Sequence, residues 1–457
     1  MSDEVLDRDE EEGLDSRRVE AVLEAVEAGD AARVAALLEP LHAADIADLL
    51  EQVSEEERNA LLALYSPEID GEILSEISDS IREEVIEALP PEVVAEAVRD
   101  LDTDDVVDIL EDLEAPAQAV ILSALESADR VAVERALSYP EYSAGRLMQR
   151  EVVVAPEHWT VGEMIDHLRS AEYLPDQFYH VILVDPRMKP VAYVTLGRML
   201  SSRRDVQLKA IVEDSFRTVE ATEPEADVAY LFNQYHLISC PVVDENDRLV
   251  GVITIDDAMN VLDEEHEEDI LRMAGVHDEA SLSDTVLEAA KGRALWLFVN
   301  LLTAILASSV ISLFAETINQ MVALAVLMPI VASMGGNAGT QSMTVAVRAL
   351  ATRDLTAQNA PRIIRREVAV GALNGLIFGV VMAGVAALWF GVPLLALVIG
   401  MAMLLTLMAA ALGGIVIPMV LERFEIDPAL ASGPFVTTVT DVVGFFAFLG
   451  LASWMIL

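Results

Sequence analysis

Five apolar runs in the second part of the chain are each long enough to cross a lipid bilayer. A membrane-spanning helix needs about 20 consecutive, predominantly apolar residues. The runs therefore predict an all-α transmembrane domain of five helices over residues 293–457. They lie at 294–314, from 321 to about 345, and at 368–390, 392–421 and 434–457.

The remaining part of the chain is strongly acidic. The formal net charge is −48, yet only eight basic and seven acidic residues follow residue 290, so the excess of acid precedes it. Such a surface lacks the basic patches that nucleic acid needs, and it favours cations. The chain has only three lysines, so the acidity is equally consistent with adaptation to concentrated salt, which screens self-repulsion. Cys240 is the single cysteine, which excludes an intramolecular disulfide and fits a reducing cytosol.

The acidic part begins with two predicted segments. Residues 1–16 form an acidic tail whose composition predicts disorder and shows no signal peptide. Residues 17–140 carry apolar residues three and four apart, and related phrases such as LHAADIADLLEQV and LDTDDVVDILEDL recur. This pattern predicts an α-superhelical domain of stacked helical hairpins. Further along, residues 266–292 predict a helix that connects the soluble part to the membrane.

Residues 144–265 contain two similar halves, at about 144–205 and 206–265. FYHVILVDPRMKPVAYVTLGRML aligns with HLISCPVVDENDRLVGVITIDDAMNVL, and each half reads helix, strand, turn, strand, helix. The halves resemble a tandem pair of CBS domains, an α/β fold that often senses nucleotides or metals. The resemblance allows ATP as a ligand. Thr254 and Asp257 fit the expected pattern in the second half. In the first half Arg198 stands where an acid would hold a ribose hydroxyl, which argues against adenine-nucleotide binding there.

Basic residues in the loops predict the orientation in the membrane. Lys291 and Arg293 precede the first apolar run, five arginines lie between the second and third runs, and Arg423 lies between the fourth and fifth. The other two loops carry no basic residue. Because basic residues stay on the cytoplasmic side, the N-terminal part is predicted to be cytoplasmic and the C-terminus outside. We predict a multi-pass protein of the inner (plasma) membrane.

Two polar features interrupt the apolar runs. The segment 329–341, PIVASMGGNAGTQ, is predicted to break its helix, because Gly335 and Gly336 permit irregular backbone and Asn337 supplies oxygen at the same depth. Irregular backbone at membrane depth must line a protein or water-filled cavity. Asp441 is the only acidic residue inside any of the runs, and an intramembrane carboxylate indicates a functional site. Together the two features predict a cation pathway.

Asp441 leaves several functions open. One carboxylate holds a dehydrated divalent ion poorly, whereas a symmetric dimer would place two across one axis, which suits a hydrated Mg²⁺. Alternatively, Asp441 forms a structural hydrogen bond to Asn300 or Asn374, or serves a carrier coupled to Na⁺ or H⁺ by protonation. Mn²⁺, Co²⁺ and Ni²⁺ accept the same six oxygen ligands. The chain has no P-loop, nucleophile motif or histidine cluster, so no enzyme is predicted.

The order of the predicted domains, with MPIVASMGGNAGTQ and DPALASGPFVTTVTDVVG in the membrane part, resembles the MgtE family of magnesium channels over essentially the whole chain. The resemblance implies a homodimer with a pore along its two-fold axis, Asp441 of both subunits at the selectivity site, and Gly335, Gly336 and Asn337 beside the pathway. It also implies that Mg²⁺ is both transported and regulatory, and that bound Mg²⁺ holds the pore shut.

Carried over by position, the resemblance also implies a set of regulatory Mg²⁺ ligands in the soluble domains, the connector and one cytoplasmic loop. These are Asp104, Asp108, Asp257, Glu265, Glu268, Asp269 and Asp427. Asn260 and His236 occupy positions where the resemblance would lead one to expect acids, and Asp263 and Glu264, shortly after Asn260, would compensate. Each implied ligand is also open to interpretation as a solvated surface charge.

Overall fold

The structure is a computed structural model. It describes residues 14–99, 101–111, 113, 115–171, 174–175, 177–276, 286–424 and 426–456. Most of the predicted acidic tail, and residues 277–285 of the predicted connector, lie outside the described residues. The chain divides into two compact units, Met1–Glu265 and His266–Leu457.

Ten short α-helices begin the described part of the first unit. Their apolar faces form one continuous core, in which Val22, Leu38, Leu50 and Ile81 are almost fully buried. The helices begin at polar caps such as Ser54, whose hydroxyl and backbone pair with Glu57 in a capping box. They are α1 Ser16–Glu27, α2 Ala31–Leu38, α3 Ala43–Gln52, α4 Glu55–Tyr65, α5 Gly71–Ser75, α6 Asp79–Ala88, α7 Pro91–Ala97, α8 Thr103–Glu111, α9 Ala115–Ala124 and α10 Ser127–Ala136.

Two three-stranded sheets follow, and each repeats the same local topology. In both sheets the first strand pairs in parallel with the second, and the second pairs antiparallel with the third. His180 pairs with Thr195 in one sheet as Ser239 pairs with Thr254 in the other, which confirms the predicted duplication. The elements are β1 Val154–Pro156, α11 Val161–Ser170, β2 His180–Val184, β3 Pro190–Thr195, α12 Leu196–Ser201, β4 Val219–Glu220, α13 Glu225–Tyr235, β5 Ser239–Val243 and β6 Leu249–Thr254.

The next helix, α14 Ile255–Met273, runs without interruption across the predicted boundary between residues 265 and 266. The helix that closes the second sheet and the start of the connector are therefore one element. The reason is visible in the sequence, because VLDEEHEEDILRM contains neither proline nor glycine to stop a helix.

Five helices in the described part of the chain are long and apolar enough to span a membrane, as predicted. Four of them extend beyond the predicted apolar runs by several polar or small residues at one or both ends. They are α15 Val286–Ser312, α17 Ala323–Ala351, α18 Ala360–Phe390, α19 Pro393–Arg423 and α20 Pro428–Met455, with the short helix α16 Ala315–Gln320 between α15 and α17.

The predicted break in the second membrane helix is wrong. Helix α17 continues through the whole segment 329–341, with Pro329 inside it. Gly335, Gly336 and Gly339 keep negative φ angles, since the positive-φ glycines among the described residues are others. A helix satisfies its own backbone groups in lipid, so the glycines do not need to produce irregular backbone there. Gly335 and Gly339 serve helix packing instead, as described below.

Candidate ion pathway and carboxylate sites

One face of helix α17 carries a row of exposed polar side chains. Ser333, Asn337, Thr340, Gln341 and Thr344 are all exposed in the single chain. Their spacing of three and four residues places them on one side of the helix. Apolar residues would be the favourable choice for a face in contact with lipid. This polar face therefore requires a partner other than lipid, such as water, an ion or a second subunit.

The adjacent face of α17 packs against its neighbours through glycines. A Cβ added to Gly335 would lie 2.7 Å from Cγ2 of Thr406 on α19, and one added to Gly339 would lie 2.7 Å from Cγ1 of Val436 on α20. Gly336 differs, because no heavy atom of the described residues lies within 4 Å of its Cβ position. Gly335 thus lies inside the helix bundle, whereas Gly336 and Asn337 lie on its open side.

Asp441 lies on α20 and is partly buried. In the described part of the chain its carboxylate forms no hydrogen bond or ion pair, including with Asn300 or Asn374. The proposed structural role of Asp441 therefore has no contact to support it within one chain. A partly buried carboxylate without a partner is costly, and a cation or a polar group from another subunit would offset that cost.

Threonines surround Asp441 on the same helix. The hydroxyls of Thr437, Thr438 and Thr440 donate to the carbonyls of Gly433, Pro434 and Thr437, at 3.0, 2.6 and 2.9 Å. Each hydroxyl therefore satisfies its donor within the helix while its oxygen keeps the capacity to accept. Oxygen acceptors of this kind suit hard cations and their hydration water.

Nine carboxylates of the first unit line one cavity of about 600 Å³. Two of the implied Mg²⁺ ligands from α8 meet a third from the start of α14, although about 150 residues separate them in sequence. The cavity is otherwise lined by a mixture of polar and apolar residues. The nine carboxylates are Asp79, Asp104, Asp105, Asp108, Glu111, Glu141, Glu225, Asp257 and Glu264.

Burial makes several of these carboxylates poor acids. Burial, together with the charges of Asp257 and Asp105, raises the pKa of Asp104 well above its usual value. Burial and the charge of Asp257 raise the pKa of Asp105 to about 7, and burial raises that of Asp257 to about 6 although Thr254 donates a 2.6 Å hydrogen bond to it. Burial and the charge of Glu264 raise the pKa of Glu225 to about 7. These groups would all gain from a nearby cation.

Arginines partly neutralise the edge of the same cavity. Arg82 pairs with Asp108 at 2.9 Å, and Arg146 forms an ion pair with Glu111. Partial desolvation still raises the pKa of Asp108 despite Arg82. In the part of the chain that the structure describes, no three histidine, cysteine or acidic side chains converge closely enough to hold a bare metal ion. The arrangement is suited to an ion that keeps part of its hydration shell.

Six of the nine cavity acids were not among the predicted ligands, and Asp105 and Glu225 are two of them. Asp105 directly follows Asp104 in the phrase DTDDVVD, and Glu225 begins helix α13. The two consecutive aspartates could have indicated Asp105 from the sequence. Glu225 has no such local indication, because only the tertiary structure brings it to this cavity. Asn260 also lines the cavity. His236 instead ends α13 in the left-handed conformation with φ 53°, a position that histidine tolerates better than most residues.

The remaining predicted ligands occupy different surroundings. Glu265 contributes to the raised pKa of Glu225 in the first unit. Glu268, Asp269 and Asp427 belong to the second unit, where Asp427 caps the start of α20 by accepting hydrogen bonds from the backbone. Burial and the charge of Asp427 raise the pKa of Asp269. The predicted set therefore separates into two groups of carboxylates.

The two halves of the paired-sheet region differ at the predicted nucleotide position. In the second half the hydroxyl of Thr254 donates to Asp257. In the first half Arg198 pairs with Glu213 at 3.2 Å and donates to the carbonyl of Val212 at 2.7 Å. In the first half, the nearby acid Glu213 is therefore already paired with Arg198.

Comparisons with known proteins agree with this domain order. The family model described as "Divalent cation transporter" matches residues 328–451, "MgtE intracellular N domain" matches 41–142, and "CBS domain" matches 208–264. The magnesium transporter MgtE of Thermus thermophilus is 34% identical over 333 residues, covering 72% of this chain and 73% of that protein. The Bacillus subtilis magnesium transporter MgtE is 30% identical over 322 residues, covering 70% and 71%.

Among solved structures, the chain is similar to the cytosolic domain of the Mg²⁺ channel MgtE in complex with ATP. That similarity has a TM-score of 0.48 and 29% identity, and it covers 53% of this chain and 99% of the other. The soluble part of a magnesium transporter gives a TM-score of 0.47 and 24% identity, covering 55% and 98%.

Five spanning helices, a polar face in the membrane and a CBS pair define a multi-pass membrane transporter for divalent cations with a large N-terminal part outside the spanning helices. Such a transporter is not an enzyme. The identity to its relatives, over more than two thirds of their length, shows the family. The chain belongs to the MgtE family of magnesium transporters, and Mg²⁺ is the ion that it transports.

Proposed function

We propose that the chain forms a homodimeric, Mg²⁺-selective channel that is closed by Mg²⁺ bound to its soluble domains. The observation that carries the proposal is the exposed polar face of α17 beside the unpartnered Asp441. A two-fold axis along this face would cover it with the same face of a second copy, as in an isologous interface. Water and ions between the two copies would then meet Gly336, Asn337 and the two α20 threonines that are not fully buried, Thr437 and Thr438.

Asp441 of the two subunits would select the ion. Two carboxylates across the axis supply a double negative charge, whereas one supplies too little for a divalent ion. Mg²⁺ loses its water reluctantly, so we propose that a hydrated ion passes and that the carboxylates and threonine oxygens hold its water shell. This arrangement allows an ion to leave as readily as it enters, which conduction requires.

The carboxylate cavity of the first unit would sense Mg²⁺. Its acids repel one another when they are ionised, and a divalent ion among them would offset the repulsion. Bound Mg²⁺ must favour the closed state over the open one, or it would shift no equilibrium. We assign this role to Asp104, Asp108 and Asp257, assisted by Asp105 and Glu225. Whether ATP also binds the CBS pair is tested by direct titration.

The arrangement in the membrane follows from the charged loops. We propose that the N-terminal part lies in the cytoplasm and the C-terminus outside, in the inner (plasma) membrane. Lys291, Arg293 and Arg423 would then face the cytoplasm, together with the arginines between α17 and α18. The carboxylate cavity would experience cytosolic Mg²⁺, as a sensor requires.

The test is Mg²⁺ flux into liposomes that contain the purified full-length chain. Asp441→Asn should reduce the flux at least tenfold and leave a folded dimer, as judged by its elution and thermal unfolding. Glu316→Gln removes one exposed acid from the same unit and is the matched control, with unchanged flux expected. Wild-type flux through Asp441→Asn would exclude the selectivity role.

The same liposomes distinguish a channel from a coupled carrier. Flux that persists without a Na⁺ or H⁺ gradient supports a channel, whereas flux that stops without one supports the carrier. Competition by Mn²⁺, Co²⁺ and Ni²⁺ measures selectivity, because all of these ions accept six oxygen ligands. We expect Mg²⁺ to be preferred. Mn²⁺, Co²⁺ and Ni²⁺ bind protein ligands more tightly by direct coordination, and a pathway for hydrated ions offers little direct coordination.

A further inference from the structure

The last turn of α14 contacts the start of α20 through one arginine. Arg272 pairs with Glu268 of its own helix at 2.8 Å through Nη2 and with Asp427 at 3.1 Å through Nη1. Its side chain is 21% exposed, and those of Glu268 and Asp427 are 35% and 32% exposed. An ion pair that is partly shielded from solvent contributes more than a surface pair.

Asp427 uses its two oxygens for two purposes. Oδ1 accepts hydrogen bonds from the backbone of Ala429 at 2.7 Å and of Leu430 at 3.5 Å, which caps α20. Oδ2 faces Arg272. A carboxylate at a helix N-terminus is favourable, so the helix cap and the ion pair with the arginine use the same side chain without competing for the same oxygen. The same helix carries Asp441, on the order of 20 Å further along its axis.

Apolar packing reinforces this contact. Met273, the residue after Arg272, packs against a small buried cluster in which α17 and α20 meet, and a Cβ added to Gly433 would lie 4.0 Å from its carbonyl oxygen. The cluster lies in the C-terminal part of α17 and the N-terminal part of α20, the two helices that carry the proposed pathway. Its buried members are Met343, Val347, Ala429 and Val436.

We propose that Arg272 is a built-in cation that holds α14 against α20 without a metal ion. The guanidinium forms ion pairs with Glu268 and Asp427, two carboxylates that the family resemblance assigns to regulatory Mg²⁺. Part of the free energy that favours the closed state is then independent of Mg²⁺, and Mg²⁺ acts chiefly at the carboxylate cavity of the first unit. This inference rests on the proposed gating function, because it assigns the docked α14 to the closed channel.

The first test compares Arg272→Gln with the wild type in liposomes that contain the full-length chain. Without the guanidinium the acids Glu268, Asp269 and Asp427 repel one another, so α14 should dock only at higher Mg²⁺. We expect the Mg²⁺ concentration at half-closure to rise about tenfold, in the range of a partly buried charge-assisted contact. Arg272→Lys should restore most of the wild-type value.

A matched control removes the same charge elsewhere. Arg203 pairs with Asp205 on the surface of the first unit, and both side chains are largely exposed. Arg203→Gln should leave half-closure unchanged. An equal shift in both variants would mean that net charge alone matters and would overturn the proposal. A lower half-closing concentration in Arg272→Gln would overturn it too, because Arg272 would then compete with Mg²⁺.

The second test measures docking without measuring flux. Ala274→Cys and Gly433→Cys are introduced together with Cys240→Ala, and a short thiol cross-linker is added with and without Mg²⁺. In Mg²⁺-free buffer cross-linking should be partial when Arg272 is present and much slower when it is Gln, and Mg²⁺ should accelerate it in both. Cross-linking that is the same in both overturns the proposal. If Arg272 controls cross-linking while Mg²⁺ never closes the wild-type channel, the gating function fails and the contact stands.

Discussion

Two neighbouring glycines of α19 should respond in opposite ways to alanine. A Cβ added to Gly414 would lie 2.7 Å from the carbonyl oxygen of Gly339, 2.7 Å from Cβ of Ser342 and 2.9 Å from the backbone nitrogen of Met343. A Cβ added to Gly413 would meet its nearest atom at 3.5 Å, an ordinary contact. Gly414→Ala therefore pushes α17 and α19 apart, and Gly413→Ala does not.

The expected magnitude follows from these distances. Two of the atoms around Gly414 belong to the backbone of α17, so no side-chain rotation relieves the overlap, and the helices must separate by roughly 0.5 Å or more to restore normal contact. Overpacking of this kind costs about 1–3 kcal/mol, and we expect the upper half of that range. Both substitutions gain the same helix propensity, so this gain cancels when the two variants are compared.

Thermal unfolding of the purified protein in detergent measures the difference. The midpoint for Gly414→Ala should lie about 4–12 °C below that for Gly413→Ala, from roughly 2–4 °C per kcal/mol for a unit of this size. Mg²⁺ flux should fall with it, because Gly339 lies only two residues after Asn337 on α17. Equal midpoints for the two variants would refute the close approach of α17 and α19.

Three further predictions concern the pathway and the cavity. Asn337→Leu should reduce Mg²⁺ flux at least tenfold in liposomes with an unchanged unfolding midpoint, because its side chain is exposed rather than packed; retained flux would mean that this face contacts lipid. Asp104→Asn should raise the free energy of unfolding in Mg²⁺-free buffer, measured with urea at constant KCl, because it removes a buried charge among like charges. The pKa values of Asp105 and Glu225 are raised to about 7 and that of Asp257 to about 6, so the folded state binds protons more tightly than the unfolded chain. Stability without Mg²⁺ should therefore fall as pH rises from about 4 through 7, and proton competition should make half-closure need more Mg²⁺ at pH 6 than at pH 8.

The regular elements could be predicted because their signals are local. Runs of about 20 apolar residues have few alternatives to spanning helices, and the duplicated strand pattern reappears as two sheets with matching registers. The same local reasoning failed at residues 329–341. Glycine is compatible both with irregular backbone and with close helix packing, and only the distances from Gly335 to Thr406 and from Gly339 to Val436 decide between them.

The contacts between distant segments could not be predicted from the sequence. Arg272 is one arginine in a connector, and nothing in its sequence neighbourhood indicates Asp427, about 150 residues later. Likewise, Glu225 has no local feature that assigns it to the cavity. Thr406 is a related case, because it is fully buried between Gly335 and Gly444 and its hydroxyl has no partner among the described residues. Its position depends on three helices meeting.

The structure also separates two explanations for the acidity of the first unit. Adaptation to salt needs carboxylates that remain solvated, and exposed acids with ordinary acidity satisfy it. Asp104 is only 7% exposed, and like charges surround it. Burying such a group costs free energy of folding whatever the monovalent salt concentration, because screening acts mainly on exposed charges. Salt adaptation therefore accounts for the surface acids but not for the cavity, where a bound divalent cation would offset the cost that the acids impose.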